Sequence, residues 1–409
     1  MMASGTQLSN EFLREGARDV VQTLVGAGYE AYWAGGCVRD MILGLVPADY
    51  DVATSARPDE VIGLFPRTVE VGKAFGVVCV LTEGRSYDVA TFRAEGAYSD
   101  GRRPDNVSWA DAQADVIRRD FTINGLLYDP LEDRVLDFVD GQEDLRAGII
   151  RAIGEPIRRF EEDYLRILRA IRFSARFHFE IESLTLEAMA RAAQGVGRMS
   201  AERIEHELSR ILTEGSAKEG LVHLRDLAIW PLVLAEVGDA DLAIERFAGL
   251  DPLPSSVAWA NLCAGQAMTA DDIAGMADRL RFSTKLKKEI VGTILCAEGL
   301  ASYPKLGSAE RKKLVRQSWV SGALTILSVG GAHDKAHGAA QRDLERWSTG
   351  DLHPLPLLRG DDLENAGITP GPVFGRILAE LENEQLEGRI DRVEQAWTMV
   401  ERLLEAEPG

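Results

Sequence analysis

The pair Asp49-Tyr50-Asp51 constrains this chain more than any other feature. It lies in the stretch 32–54, YWAGGCVRDMILGLVPADYDVAT. That stretch reads as a strand over 31–34, a Gly35-Gly36 turn, a short helix over 37–43 closed by Gly44, and a second strand over 49–52. Alternation along a strand puts Asp49 and Asp51 on one face and Tyr50 and Val52 on the other. Two carboxylates held that close repel each other and resist joint burial. A divalent cation removes the penalty, and Mg²⁺ takes oxygen ligands, usually one or two carboxylates plus substrate phosphates. The plainer alternative is two solvated acids on an exposed strand face. The preceding Gly-Gly turn and helix start favour the cation, because backbone N–H groups there can cradle phosphate and Arg39 in the first turn adds positive charge.

The 409 residues suffice for two to four domains. With 45% hydrophobic and 27% charged residues, the composition is that of an ordinary globular protein. No apolar run of membrane-spanning length is present, so no membrane partner is expected. The first ten residues lack a secretory pattern, and Cys37, Cys79, Cys263 and Cys296 form no CxxC pair, so a reducing cytoplasm is the expected compartment. The net charge of −19 argues against non-specific nucleic-acid binding, and DNA is not expected as a partner. Any RNA contact has to rest on a segregated cluster of positive charge.

The chain changes character a little over a third of the way along. Before about residue 153 it mixes short helices with β-rich runs over 70–82 and 86–93, with Gly84 placed for a hairpin between them. From 155 onward it is almost all helical, with apolar residues at helical spacing over 161–176, 184–193, 201–212 and 217–227. Residues 251–254 and 353–356, both with two prolines, read as connectors. The expected fold class is α+β followed by an all-α remainder.

The motifs GGCVRD and PADYDVAT closely resemble the head-domain signature of class II tRNA nucleotidyltransferases and bacterial poly(A) polymerases, of the polymerase β-like superfamily. The resemblance implies a polymerase β-like nucleotidyltransferase head over 1–153, a helical neck with nucleotide-base recognition over 154–213, and a helical, tRNA-binding body and tail over 214–409. It makes Asp49 and Asp51 the ligands of Mg²⁺, in a reaction using two metal ions. Asp88, in the strand SYDVATFR, matches the family's third acid, with Ala90 where a Thr is usual; a strand-edge charge is its plainer role. Gly35, Gly36 and Arg39 would meet the nucleotide.

The segment 118–124, RRDFTIN, resembles the family's ribose motif, with Gly125 replacing the usual Ala. Arg119, Asp120 and Asn124 are the residues implied. A carboxylate accepts from a 2′-hydroxyl that a deoxynucleotide lacks, while Asp120 could equally cap a helix start. Residues 137–145 read as turns and helix caps.

The segment 161–173, EEDYLRILRAIRF, resembles the family's EDxxR protein template. On one continuous helix Asp163 and Arg166 would share a face, and the plainer reading is a surface salt bridge. As a template, the carboxylate accepts from an exocyclic amine and the guanidinium donates to a ring nitrogen. Cytosine and adenine offer that pattern, whereas uracil and guanine present a carbonyl beside N–H. Arg169 is the further nucleotide-binding candidate here.

Within the family, the loop 94–108 with Arg102 and Arg103, the run 71–78, and the 360–363 and 367–372 elements favour the CCA-adding version, while ERIEHEL over 202–208, otherwise an ordinary amphipathic helix, and LRFS over 280–283 resemble motifs of the family. The CCA-adding version extends tRNA with CTP and ATP. A poly(A) polymerase or a partial, CC- or A-adding enzyme is the nearest alternative, and a non-catalytic RNA-binding protein is the alternative of another class. Arg151, Arg158, Arg159, Arg166, Arg169, Arg172 and Arg176, with Lys285 and Lys312, are the expected tRNA face. His333 and His337 lack the further ligands that a metal site needs.

Overall fold

The structure, a computed structural model, describes residues 5–95, 107–250, 252–266, 268–329, 331 and 333–405. These divide into two compact units, Met1–Ala235 and Glu236–Gly409.

The first unit is built on a seven-stranded sheet. Its strands are β1 (Ala31–Ala34), β2 (Asp51–Thr54), β3 (Thr68–Gly72), β4 (Val77–Thr82) and β5 (Arg85–Thr91). A separate two-stranded ladder, β6 (Arg93–Glu95) with β7 (Val107–Trp109), follows before the last two sheet strands, β8 (Leu126–Asp129) and β9 (Arg134–Asp137). The sheet order is β3-β4-β5-β2-β1-β8-β9. β2 and β5 run parallel, Val52 beside Val89, and every other pair in the sheet is antiparallel. The β4–β5 hairpin turns at Glu83 and Gly84, both at positive φ, as a two-residue I′ turn needs.

Helix α1 (Gly5–Gly26) buries Ala17, Val20, Val21 and Leu24, the i, i+3, i+4, i+7 stripe of a helix lying on a sheet. α2 (Gly36–Ile42) follows β1, and α3 (Pro58–Leu64) follows β2. α4 (Ala112–Ile117) leads into the 118–124 segment, and α5 (Gly141–Ala147) follows β9. The helices α6 (Pro156–Glu162), α7 (Leu165–Phe177), α8 (Ser183–Ala192), α9 (Ala201–Thr213) and α10 (Ala217–Asp226) complete most of the unit. This is the expected α+β head with a helical continuation.

Three local expectations are corrected. The second acidic strand begins at Asp51, not at Asp49. The alternation nevertheless holds, with Tyr50 and Val52 buried and Asp49 and Asp51 solvent-accessible. The β-rich run 70–82 is interrupted by a 3₁₀ turn, Lys73–Phe75. The helix expected over 161–176 is broken: α6 ends at Glu162 and α7 starts at Leu165, with Asp163 in an extended conformation between them. Residues 96–106 of the expected loop lie outside the described residues.

The second unit is helical throughout its described residues. Trp259, Ile290, Leu300 and Tyr303 are buried in it. Nearer its end, Leu363, Ile377, Leu381 and Val400 form an apolar cluster. No helix among the described residues is long and apolar enough to cross a membrane.

Candidate active site

A cavity of about 580 Å³ opens in the first unit above the start of β2. Gly35, Gly36, Asp49 and Asp51 line one side, and Arg118, Arg119, Asp120 and Asn124 line it from the segment after α4. Asp163, Arg166, Arg169, Arg172, Arg176, Arg203 and Arg210 line it from α7, α9 and the break before α7. Segments that are distant in sequence, and that read separately as phosphate, sugar and base motifs, therefore share one cavity.

Asp51 is the electrostatic focus. Enclosure by the protein, with Asp49 and then Asp88 as like-charged neighbours, pushes its carboxyl up to about 6 against the opposing pull of Arg119. Asp88 stands on β5, whose parallel register with β2 sets it beside the start of that strand. The donor chemistry fits a hard divalent cation: oxygen-only, anionic, and mutually repelling until a positive charge arrives. Among the described residues no group of three or more His, Cys, Asp or Glu forms a ready-made metal cluster. Phosphate oxygens would have to complete the coordination. His333 precedes the helix Asp334–Arg346, where its backbone carbonyl accepts from the His337 N–H at 2.9 Å.

Gly35 sits at φ +71°, and a Cβ placed on it would lie 3.0 Å from Arg119 Nη1. Only glycine gives both the backbone conformation and the room for that guanidinium. Arg39, expected to add charge for phosphate, also lines the cavity and is buried. Its Nε and Nη2 donate to Asp40 Oδ1 at 2.8 and 2.6 Å, and its Nη1 to Asn124 Oδ1 at 2.6 Å. The Phe173 and Phe177 rings flank its guanidinium at 5.1 and 4.8 Å. Its place is at the junction of α2, the 118–124 segment and α7.

Asp120 accepts three hydrogen bonds and makes one further ion-pair contact. Oδ1 takes the Phe121 N–H at 2.8 Å and Asn124 Nδ2 at 3.0 Å. Oδ2 takes Arg169 Nε at 2.8 Å and lies 2.6 Å from its Nη2. Burial alone would raise its carboxyl, but Arg169 and these hydrogen bonds outweigh burial and hold it at about 2. The helix-cap reading is not met: the 3₁₀ turn Thr122–Asn124 starts from Phe121 with no side-chain cap, and the Asp120 carboxylate instead anchors two other candidate residues.

At the break between α6 and α7, Asp163 Oδ1 accepts from the Leu165 N–H at 3.1 Å. Its Oδ2 accepts from Arg203 Nη2 at 2.6 Å. Arg166, largely buried, donates through Nη1 to Glu162 Oε2 at 2.8 Å and to the Arg159 carbonyl at 2.9 Å. The expected surface pair between Asp163 and Arg166 is not made, and both side chains line the cavity. Tyr164 fills the space where a Cβ on Gly195 would stand, which helps hold the break.

The expected tRNA face is largely redirected. Arg172 is 2% exposed, with Nε 2.7 Å from Glu207 and Nη1 3.2 Å from Glu214. Arg176 approaches Asp40 and Glu214, and Arg159 pairs with Glu162. Of that series Arg158 and Arg151 remain exposed, Arg158 beside Glu155 and Arg151 beside Asp144. In the second unit Lys312 Nζ donates to the Leu386 carbonyl at 2.8 Å and sits over Trp347. Sequence reasoning named the ERIEHEL helix but not the part played by Arg203 and Glu207. Arg210 and Glu214 were not singled out. Their helical spacing carried the signal, for Arg203, Glu207, Arg210 and Glu214 recur at three- and four-residue steps.

The sheet, the acids at its opening and the arginine-lined cavity define a nucleotidyltransferase head. Residues 31–151 match the Poly A polymerase head domain family, and residues 178–239 match the family described as a probable RNA and SrmB-binding site of polymerase A. The CCA-adding enzyme of Levilactobacillus brevis is 34% identical over 394 residues, covering 94% of this chain and 96% of that protein. That of Limosilactobacillus fermentum is 34% identical over 381 residues, covering 92% and 93%. Among solved structures, the Bacillus stearothermophilus CCA-adding enzyme in complex with CTP superposes with a TM-score of 0.80 at 25% identity, covering 96% of this chain and 98% of that one. The chain belongs to the CCA-adding enzyme family.

Proposed function

We propose that this cavity binds CTP and ATP in turn and transfers their nucleotidyl groups to the 3′ end of tRNA, building CCA and releasing pyrophosphate. The observation that carries the reading is the joint placement of Asp49 and Asp51 with Asp163 and Arg166 around one cavity. Binding RNA alone would not require that set of acids. In the head, neck, and body-and-tail division proposed for residues 1–153, 154–213 and 214–409, the first two parts supply all of these side chains.

Asp49 and Asp51, with Asp88, would hold Mg²⁺. When bound, the cation would neutralise triphosphate charge and favour ionisation of the attacking 3′-hydroxyl. Gly35 and Gly36 give the triphosphate close access to backbone. Arg119 and Asp120 face the sugar, with Asp120 also fixing Asn124 and Arg169. Asp163 accepts from the exocyclic amine of cytosine or adenine, and Arg166 donates to the adjacent ring nitrogen. Uracil and guanine set a carbonyl against Asp163 and a donor against Arg166, and each mismatch leaves a desolvated group unpaired. These residues act by positioning and charge complementarity, which is how proteins accelerate phosphoryl transfer in general.

The test is incubation of the protein with Mg²⁺, CTP and ATP, singly and together. Acceptors are tRNA transcripts lacking CCA or ending in C or CC, resolved at single nucleotides. Ordered growth that stops at CCA is expected. Long A tails would assign a poly(A) polymerase, a halt at CC or a need for a CC end would assign a partial enzyme, and no extension would leave an RNA binder.

A further inference from the structure

Asp115 lies in α4, three and four residues before Arg118 and Arg119, and is 1% exposed. It does not line the cavity. Its Oδ1 accepts from Arg118 Nε at 2.9 Å and Nη2 at 2.7 Å, and its Oδ2 from Arg119 Nη2 at 2.9 Å. Oδ1 also receives the backbone N–H of Arg93 at 3.3 Å, at the start of β6, just beyond the strand that carries Asp88. One carboxylate thus ties two cavity arginines to each other and to the sheet side of the head.

Its consequences reach the site through Arg119. With Nη2 held by Asp115, Arg119 Nη1 lies against Gly35, and its Nε is buried without a hydrogen-bond partner. An arginine loses rotamer freedom on such fixation, and the acid bears that cost before any ligand arrives. Burial would raise the Asp115 carboxyl, but Arg119 and Arg118 outweigh it and keep it below the usual range. A buried carboxylate that compensates two arginines is worth most where their orientation, not merely their charge, matters.

We infer that Asp115 is a positioning residue for nucleotide binding: it sets the direction of Arg119 against the Gly35 turn and never touches substrate itself. This rests on the nucleotide reading of the cavity given above.

The experiment is a double-mutant cycle on the full chain, using Asp115→Asn, Arg119→Ala and the double variant. The Kd for CTP is measured by calorimetry with Mg²⁺ and without tRNA. If Asp115 acts through Arg119, D115N weakens CTP binding by roughly tenfold, R119A by at least as much, and the double variant no more than R119A alone. A purely structural role predicts multiplied losses. Multiplied losses, or CTP binding by D115N that is unchanged or tighter, would overturn the inference while leaving the nucleotide reading intact. Unchanged binding by R119A would sink the nucleotide role of Arg119, and the inference with it. Should circular dichroism show D115N unfolded, Asp115→Glu enters the same cycle. It keeps the charge but moves the carboxylate outward by a methylene, and the same non-multiplied pattern is expected.

Discussion

Arg203 Nη2 reaches Asp163 at 2.6 Å across forty residues of chain, while Arg166, three residues away, pairs with Glu162 instead. The acceptor and the donor proposed to read a base are therefore held by different partners. Asp163 is secured from α9, and Arg166 from the last turn of α6. Arg203 Nη1 remains buried without a hydrogen-bond partner beside the cavity.

Arg203→Ala should accordingly damage base selection more than folding. Asp163 would keep only its bond from the Leu165 N–H. The expected result is a KM for CTP and ATP raised by about tenfold, with incorporation of UTP or GTP becoming measurable. Single-turnover extension with each of the four nucleotides checks it. A uniform loss of rate with unchanged selectivity would contradict this role for Arg203.

Asp51→Asn should abolish transfer yet stabilise the cation-free protein. The Asp51 carboxyl is raised to about 6, above its ordinary 3.8. For an acid shifted upward, the ionised form costs folding stability at high pH, and that cost disappears as pH falls from about 6 to about 4. The side chain reaches solvent, so the effect is small: a rise in Tm of about 2 °C at pH 8, shrinking to nothing near pH 4. Thermal unfolding in EDTA across that range measures it. A variant less stable than the parent at pH 8 would count against the electrostatic account.

The Asp120–Arg169 pair has the opposite sign. With Asp120 held at about 2, below its ordinary 3.8, its interactions stabilise the fold above about pH 4 and are lost as pH falls towards 2. Arg169→Met should cost on the order of 2 kcal/mol at pH 6 and progressively less below pH 4. Urea unfolding of both proteins at pH 6, 4 and 3 provides the comparison. A difference independent of pH would mean that Arg169 contributes by packing alone.

Gly35→Ala meets two obstacles at once, the positive φ and the Arg119 guanidinium 3.0 Å from the new Cβ. A loss of about 1–2 kcal/mol in stability is expected, together with weaker CTP binding as Arg119 is displaced. Gly44→Ala is the control. It shares the positive φ, but a Cβ there meets nothing within 4 Å. It should show the stability loss without the binding defect.

How much of this was legible beforehand differs by element. The acids Asp49 and Asp51 could be placed on one face because burial of Tyr50 and Val52 enforces a two-residue period. The β4–β5 hairpin was marked by Gly84. The break at Asp163 was not legible, because Leu165, Leu168 and Ile171 keep helical spacing on from the preceding segment, and neither Gly nor Pro marks it. What holds the break comes from elsewhere in the chain, at Arg203 and Gly195. The direction of the arginines was equally hidden. Arg172 reads as a solvated helix residue until Glu207 and Glu214, 35 and 42 positions later, fold against it. The partners of Arg39 are hidden for the same reason, since Asn124 lies 85 residues away.

Nine arginines surround one cavity of about 580 Å³ in a chain whose net charge is −19. Such a distribution is an ion trap. Its exterior, net acidic, offers little to the flank of a polyanion, while its interior focuses attraction on whatever can be threaded inside. A mononucleotide or a frayed strand terminus can enter a space of that size, and a duplex cannot. The protein would thus sort nucleic acids by their ends and not by their lengths.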